Sequence, residues 1–294
     1  MTDMNRRDAM LLLGLGAAVA CGPRASGLGP QEMNVSRIGL GTWQTFDVGS
    51  SSSARKPLED VLREFVKLGG TLVDSSPMYG RSEEVVGDIA AKLELHPKLF
   101  MATKVWTTGK RAGIEQMEDS MRKLRVKTID LMQVHNLVDA GTHLDTLEAW
   151  KREGRVRYTG ITHWTAGGHD DVARIMERRP VDFIQINYSV GEREAERRLL
   201  PLARERGIKV IANRPFASGG LFRRVRSLPL PAWAAEIDCT TWAQLLLKFV
   251  ISHPAITTAI PATSKVEHLR DNMAAMRGRM PDQAMRQRII EAVA

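Results

Sequence analysis

From residue 34 onward, short aliphatic runs alternate with amphipathic stretches, and the alternation repeats eight times. The runs SRIGLG, GTLVDSS, LFMATKV, IDLMQVH, VRYTGIT, DFIQINY, KVIANRP and TTAIPA are rich in aliphatic and β-branched residues and read as strands. Between them, segments such as LEDVLREFVKLGG, SEEVVGDIAAKL and IEQMEDSMRKLRV carry apolar residues at i, i+3, i+4 and i+7, the spacing of a helix with one buried face. Near-continuous apolar strands separated by helices imply a parallel sheet covered by helices. Eight such units in one domain imply an α/β protein of the closed (β/α)8, or TIM, barrel class, spanning residues 28–294. An open doubly wound sheet is the alternative. It is disfavoured because IGLGTWQTF lacks the third glycine of a dinucleotide fingerprint and leads into a Ser-rich stretch instead of a helix.

Punctuation agrees with these boundaries. Ser82 with Glu84, and Thr241 before WAQLLLKF, stand where helices should begin, and Gly69-Gly70, Gly154 and Gly207 where they should end. Residues 214–239 form the longest irregular stretch, and a loop of that length in a barrel is commonly functional or mobile. One more helix is expected before Ala294, leaving little tail to cover a site, so an open, permissive pocket is expected.

Residues 1–27 differ from the rest. NRRDA precedes the apolar run MLLLGLGAAVAC and then small residues, the pattern of an export signal, with Arg6 and Arg7 resembling the twin-arginine type. The run is shorter than the roughly 20 residues of a transmembrane helix. Cys21 only faintly resembles a lipid attachment site, because Ala18 stands where leucine is usual. A cytoplasmic location is the alternative to a periplasmic or exported one. The net charge of +8 is scattered over RRP, REAERR, FRRVR and MRGRM without interleaved aromatics, which fits a solvated surface better than a nucleic-acid stripe.

In a parallel barrel, chemistry is placed at the C-terminal ends of the strands. There the sequence puts Asp74 after TLV, Lys104 after FMAT, His135 after LMQV, and Thr162 with His163 after TGI, with Tyr79 in the loop beyond Asp74. Each has an ordinary alternative as a cap, a solvated cation or a structural histidine. Together they suit carbonyl reduction. A phenol transfers a proton near neutral pH only if a cation stabilises its phenolate. Lys104 can supply that charge, Asp74 can hold the lysine, and His135 can donate to the carbonyl oxygen. No side chain supplies hydride, so a nicotinamide cofactor is implied. Metal binding fits worse, because no paired His or Cys spacing is present.

These residues, with IGLGTW, SPMYG, ATKV, LMQVH, TGITHW, QINYS and IPATSKVEHLRDN in this order, resemble the aldo-keto reductases over nearly all of residues 34–280. The resemblance implies that Asp74, Tyr79, Lys104 and His135 form the catalytic tetrad, and that NADP(H) binds at the barrel mouth. It implies Gly41, Thr42 and Trp43 at the cofactor and substrate edge, and Thr162, His163 and Gln185 at the nicotinamide carboxamide. It further implies Asn213, Arg214, Pro215 and Phe216 beside the nicotinamide. Thr263, Ser264, Lys265, His268, Asp271 and Asn272 fall in the segment that grips adenosine and its 2′-phosphate, where a helix N-terminus would add to the anion site.

Three features depart from the family pattern. Many members stack an aromatic on the nicotinamide where this chain has Asn213, and Arg214 is a planar substitute. An arginine usual four residues before Asn272 is His268 here, which weakens preference for NADP(H) and admits NAD(H). The short tail is the third. Trp43, Trp106 and Trp164 are expected to wall the pocket. The sequence-level reading is an NAD(P)H-dependent oxidoreductase reducing an aldehyde or ketone, the alternative being a cofactor-binding regulatory or interaction subunit with vestigial turnover.

Overall fold

Eight parallel strands run in chain order around a sheet that closes on itself. They are β1 (Leu40–Gly41), β2 (Leu72–Asp74), β3 (Phe100–Val105), β4 (Ile129–Val134), β5 (Val156–His163), β6 (Phe183–Asn187), β7 (Lys209–Asn213) and β8 (Ile256–Ala259). Closure is made by parallel bridges from Ile38 to Ala259 and from Gly41 to Ala262. The Gly39 N–H donates to the Ala259 carbonyl at 2.8 Å and the Gly41 N–H to that of Pro261 at 3.1 Å. Gly41 is needed for this seam, since a Cβ there would lie 2.8 Å from the Ile260 carbonyl oxygen. This computed structural model describes residues 33–294. The expected export segment, with Arg6, Arg7 and Cys21, lies outside the described residues.

The strands alternate their faces, as a pleat with a period of two requires. Val73, Met101, Met132, Ile161, Ile184 and Val210 belong to the core between sheet and helices. Their neighbours in sequence point into the barrel. At one level the rings of Phe100, Tyr158 and Phe183 meet at centroid distances of 5.7 to 6.1 Å. Further along the strands the interior turns polar, with Asp74, Lys104, Gln133 and Gln185 all buried. The catalytic end is thus set by the same pleat that fills the barrel.

Helices α1 (Ser52–Lys67), α2 (Ser82–Lys92), α3 (Lys110–Leu124), α4 (Ala140–Arg152), α5 (His169–Arg178), α6 (Leu199–Arg206), α7 (Gly220–Val225), α8 (Trp242–Ile251), α9 (Val266–Ala274) and α10 (Gln283–Val293) cover the outside and the ends. The first begins six residues before the apolar periodicity does, because Ser51 accepts the Ala54 N–H and starts the helix inside the Ser-rich stretch. Thr241 caps α8 through the Gln244 N–H as expected, and Gly69, Gly154 and Gly207 take the positive φ of helix ends. Ser82 does not cap α2: Arg81 precedes the helix without a side-chain bond, and the Ser82 hydroxyl turns inward to the Thr42 carbonyl at 3.4 Å. The 214–239 stretch is folded into short helical turns and α7, with Phe216 and Phe222 packed at 4.6 Å. Among the described residues, no helix is long and apolar enough to cross a membrane.

Candidate active site

The floor of the barrel mouth is an ion pair. Lys104, from β3, and Asp74, ending β2, are each 1% exposed, and Lys104 Nζ donates to Asp74 Oδ2 at 2.8 Å and to the Ser75 carbonyl at 2.6 Å. Two buried amides complete the carboxylate. Gln185 Nε2 donates to Asp74 Oδ2 at 3.3 Å, and Gln133 Nε2 lies 3.5 Å from Oδ1 and 2.9 Å from Gln185 Oε1. Below them Thr42 Oγ1 sits 3.0 Å from both the Asp74 carbonyl and the Ser75 hydroxyl, which ties the end of β2 to β1. The lysine is therefore fixed in place at the end of its strand.

Tyr79 lies over this pair, with Lys104 Nζ 4.9 Å from its ring centroid. Burial raises the phenol's pKa, Lys104 pulls it back and Asp74 pushes it up again, and the balance is a raised value. The phenol is thus protonated at neutral pH. Burial lowers the Lys104 pKa, but Asp74 and Tyr79 more than offset this and the net shift is upward, so the ammonium keeps its charge. His135, just past β4, meets Tyr79 edge-on at 5.9 Å with an interplanar angle of 84°. Burial and then the Lys104 charge lower its pKa to about 3, so its imidazole is neutral. A neutral phenol, a fixed cation and a neutral imidazole converge on one open space, an arrangement suited to giving a proton to an oxygen and stabilising the charge on it.

The wall around this space is aromatic. Trp43, Trp106 and Trp164 follow β1, β3 and β5 and remain 48%, 42% and 52% exposed, with Trp106 6.2 Å from His135. Arg214, at φ 52°, pairs with Glu192 at 3.2 Å and places its guanidinium 5.3 Å from the Trp164 ring. The loops after β5, β6 and β7 are joined by this contact. Asn213, Asn136 and Ser189, at the ends of β7, β4 and β6, each keep a buried side-chain oxygen without a protein partner.

The remaining residues singled out in the sequence fall into two groups. Thr162 Oγ1 accepts the Asn136 N–H at 3.1 Å, and His163 Nδ1 lies 3.1 Å from the Thr165 carbonyl, both at the mouth. Pro215 is buried beside Phe216. Ser264, Lys265 and His268 are exposed at the start of α9, whose first turn has no side-chain cap, and Thr263 Oγ1 accepts the Lys265 N–H at 3.1 Å. Asp271 faces away from that turn: it accepts from Thr241 at 3.0 Å and from Gln244 at 2.7 Å, and so locks α9 to α8. Asn272 is buried on the same helix. Gln185, expected at the cofactor, has both ends of its amide engaged with Asp74 and Gln133. Sequence reasoning missed Ser75, Ser76 and Gln133. Gln133 was within reach, because it lies two residues before His135 on one strand and so shares its inward face.

The sequence model of the aldo/keto reductase family matches residues 37–291. The chain belongs to this family. Among its members, the methylglyoxal reductase YeaE of Escherichia coli is 28% identical over 253 residues, covering 83% of this chain and 87% of that protein. An aldo/keto reductase from Klebsiella pneumoniae, solved with NADP and acetate, superposes with a TM-score of 0.73 at 27% identity, over 87% of this chain and 91% of that one. The holo form of an aldo-keto reductase from Bacillus halodurans gives 0.72 at 25% identity, over 90% and 94%. The family barrel is the one described above, with the Lys104–Asp74 pair at the mouth.

Proposed function

We propose that this family member reduces an aldehyde or ketone to an alcohol with NADP(H), and that Tyr79 donates the proton to the carbonyl oxygen. The observation that carries the reading is the buried Lys104–Asp74 pair held 4.9 Å from the Tyr79 ring. When bound, the cofactor supplies the hydride that no side chain can. The chain's own groups handle charge and proton. His135 donates a hydrogen bond to the substrate oxygen and orients it, and Tyr79 gives up its proton as charge develops there. Lys104 stabilises the resulting phenolate, and Asp74 with its two amides keeps the ammonium from drifting.

The residues present fit a nicotinamide dinucleotide. Unpartnered oxygens of Asn136, Ser189 and Asn213 offer acceptors for a carboxamide at the mouth. The uncapped first turn of α9 with Ser264 and Lys265 offers N–H groups and a cation to a phosphate. Relatives solved with NADP and NADPH support the same assignment. With His268 in place of an arginine, Lys265 is left as the principal cation for a 2′-phosphate, and discrimination against NAD(H) is modest. The exposed tryptophans favour carbonyls with an apolar or aromatic body.

A turnover panel tests this: purified protein with NADPH or NADH against methylglyoxal, nitrobenzaldehyde and aliphatic ketones, with the alcohol identified. Binding of NADPH without alcohol from any carbonyl would replace the enzyme reading with that of a cofactor-binding partner protein. We also infer export of the folded chain, supported by Arg6-Arg7 and the apolar run that follows. Fractionation with mass measurement of the N-terminus tests it, and an intact chain starting at Met1 in the cytosol would exclude it.

A further inference from the structure

A neutral imidazole carries one N–H, so His135 can donate to a carbonyl from Nε2 only if Nδ1 holds no proton. Its ordinary neutral state is a mixture of both tautomers, and something must choose. Ser76 is completely buried, two residues beyond Asp74, with its hydroxyl 3.0 Å from His135 Nδ1. The same hydroxyl oxygen accepts the Met78 N–H at 3.4 Å. His135 Nε2 has no protein partner among the described residues and is not a buried orphan, so it faces the open mouth.

We propose that Ser76 is a positioning residue that donates its hydroxyl proton to Nδ1 and holds His135 as the tautomer protonated on Nε2. Hydrogen-bond accounting gives the direction. If Nδ1 carried the proton, the Ser76 oxygen would accept from both Met78 and His135, and its own proton would have no acceptor in a buried site, which is costly. With Ser76 donating, every group is used: Met78 N–H into Oγ, Oγ–H into Nδ1, and Nε2–H into the pocket. The ring cannot evade this by turning, since Tyr79 and Trp106 pack at 5.9 and 6.2 Å. The consequence for rate rests on the carbonyl-reductase reading; the tautomer itself does not.

The test is 15N NMR of histidine-labelled full-length protein with NADP+ bound, with the His135 signal assigned from His135→Gln. Wild type is expected to show His135 protonated on Nε2 alone. Ser76→Ala is expected to show both tautomers and a kcat lower by about five- to tenfold, the worth of one hydrogen bond, with KM for the carbonyl and the Kd of NADPH little changed. Ser76→Thr, which keeps the hydroxyl, is expected to restore the single tautomer and the rate. A wild-type His135 protonated on Nδ1 overturns the proposal without any variant, and so does a Ser76→Ala protein with an unaltered tautomer. An Nε2 tautomer in a protein that turns over no carbonyl supports the assignment while removing the proposed function.

Discussion

Replacing Lys104 by Met removes the one cation from a buried carboxylate, and its two consequences separate if Asp74→Asn is added. In the single variant Asp74, 1% exposed, loses its 2.8 Å partner and retains only the longer amide contacts of Gln185 and Gln133, at 3.3 and 3.5 Å. Breaking a buried pair from one side costs about 3–5 kcal/mol, because a desolvated charge is left behind. For a barrel of this size each kcal/mol moves the melting temperature by about 2–4 °C, so a fall of roughly 10 °C is expected. Lys104→Met with Asp74→Asn leaves no uncompensated charge and keeps the amide network, so most of that loss is recovered. Turnover is not recovered, since the phenolate has lost its cation in both variants, and should stay about 100- to 10,000-fold below wild type. Thermal melts and NADPH consumption on the three proteins and on Asp74→Asn complete the cycle. A double variant no more stable than Lys104→Met refutes the charge argument, and near-wild-type turnover in Lys104→Met refutes the role given to the lysine.

Other consequences are independent of that pair. His135 has its pKa lowered to about 3 in the fold, so the unfolded chain takes up the proton first as pH falls. Its contribution to stability is complete above the unfolded value near 6.5 and declines below it by about 1.4 kcal/mol per pH unit; His135→Gln should flatten urea-measured stability between pH 6 and 4. Gly87→Ala would drive a Cβ into the Lys123 carbonyl and the backbone of Leu124 where α2 crosses α3, with a loss of about 1–3 kcal/mol in denaturant titration. Lys265→Ala should weaken NADPH by about tenfold and NADH much less in fluorescence titration, as loss of one phosphate contact requires.

The eight strands were legible because each is a β-branched run bounded by turn residues, and the parallel order follows from the helices between them. The start of α1 was not, since the hydroxyl that caps it, Ser51, lies in a run of four serines that reads as a loop. Asp74, Tyr79, Lys104 and His135 could be found as ionisable groups at strand ends. Their partners could not be found as easily: Gln133 and Gln185 lie 52 residues apart on different strands and meet only across the closed barrel. Asp271 illustrates the opposite limit. Its place in the sequence suggested a ligand, but only the packing of α9 on α8 reveals that Thr241 and Gln244 claim its carboxylate.

The central claim is that the phenol of Tyr79 is the proton donor in carbonyl reduction. Single-turnover oxidation of bound NADPH with nitrobenzaldehyde, in wild type and Tyr79→Phe, measures it directly. The account predicts equal NADPH affinity in both proteins and a rate in Tyr79→Phe at least about 100-fold lower. Equal rates in the two proteins, at equal cofactor occupancy, would contradict it.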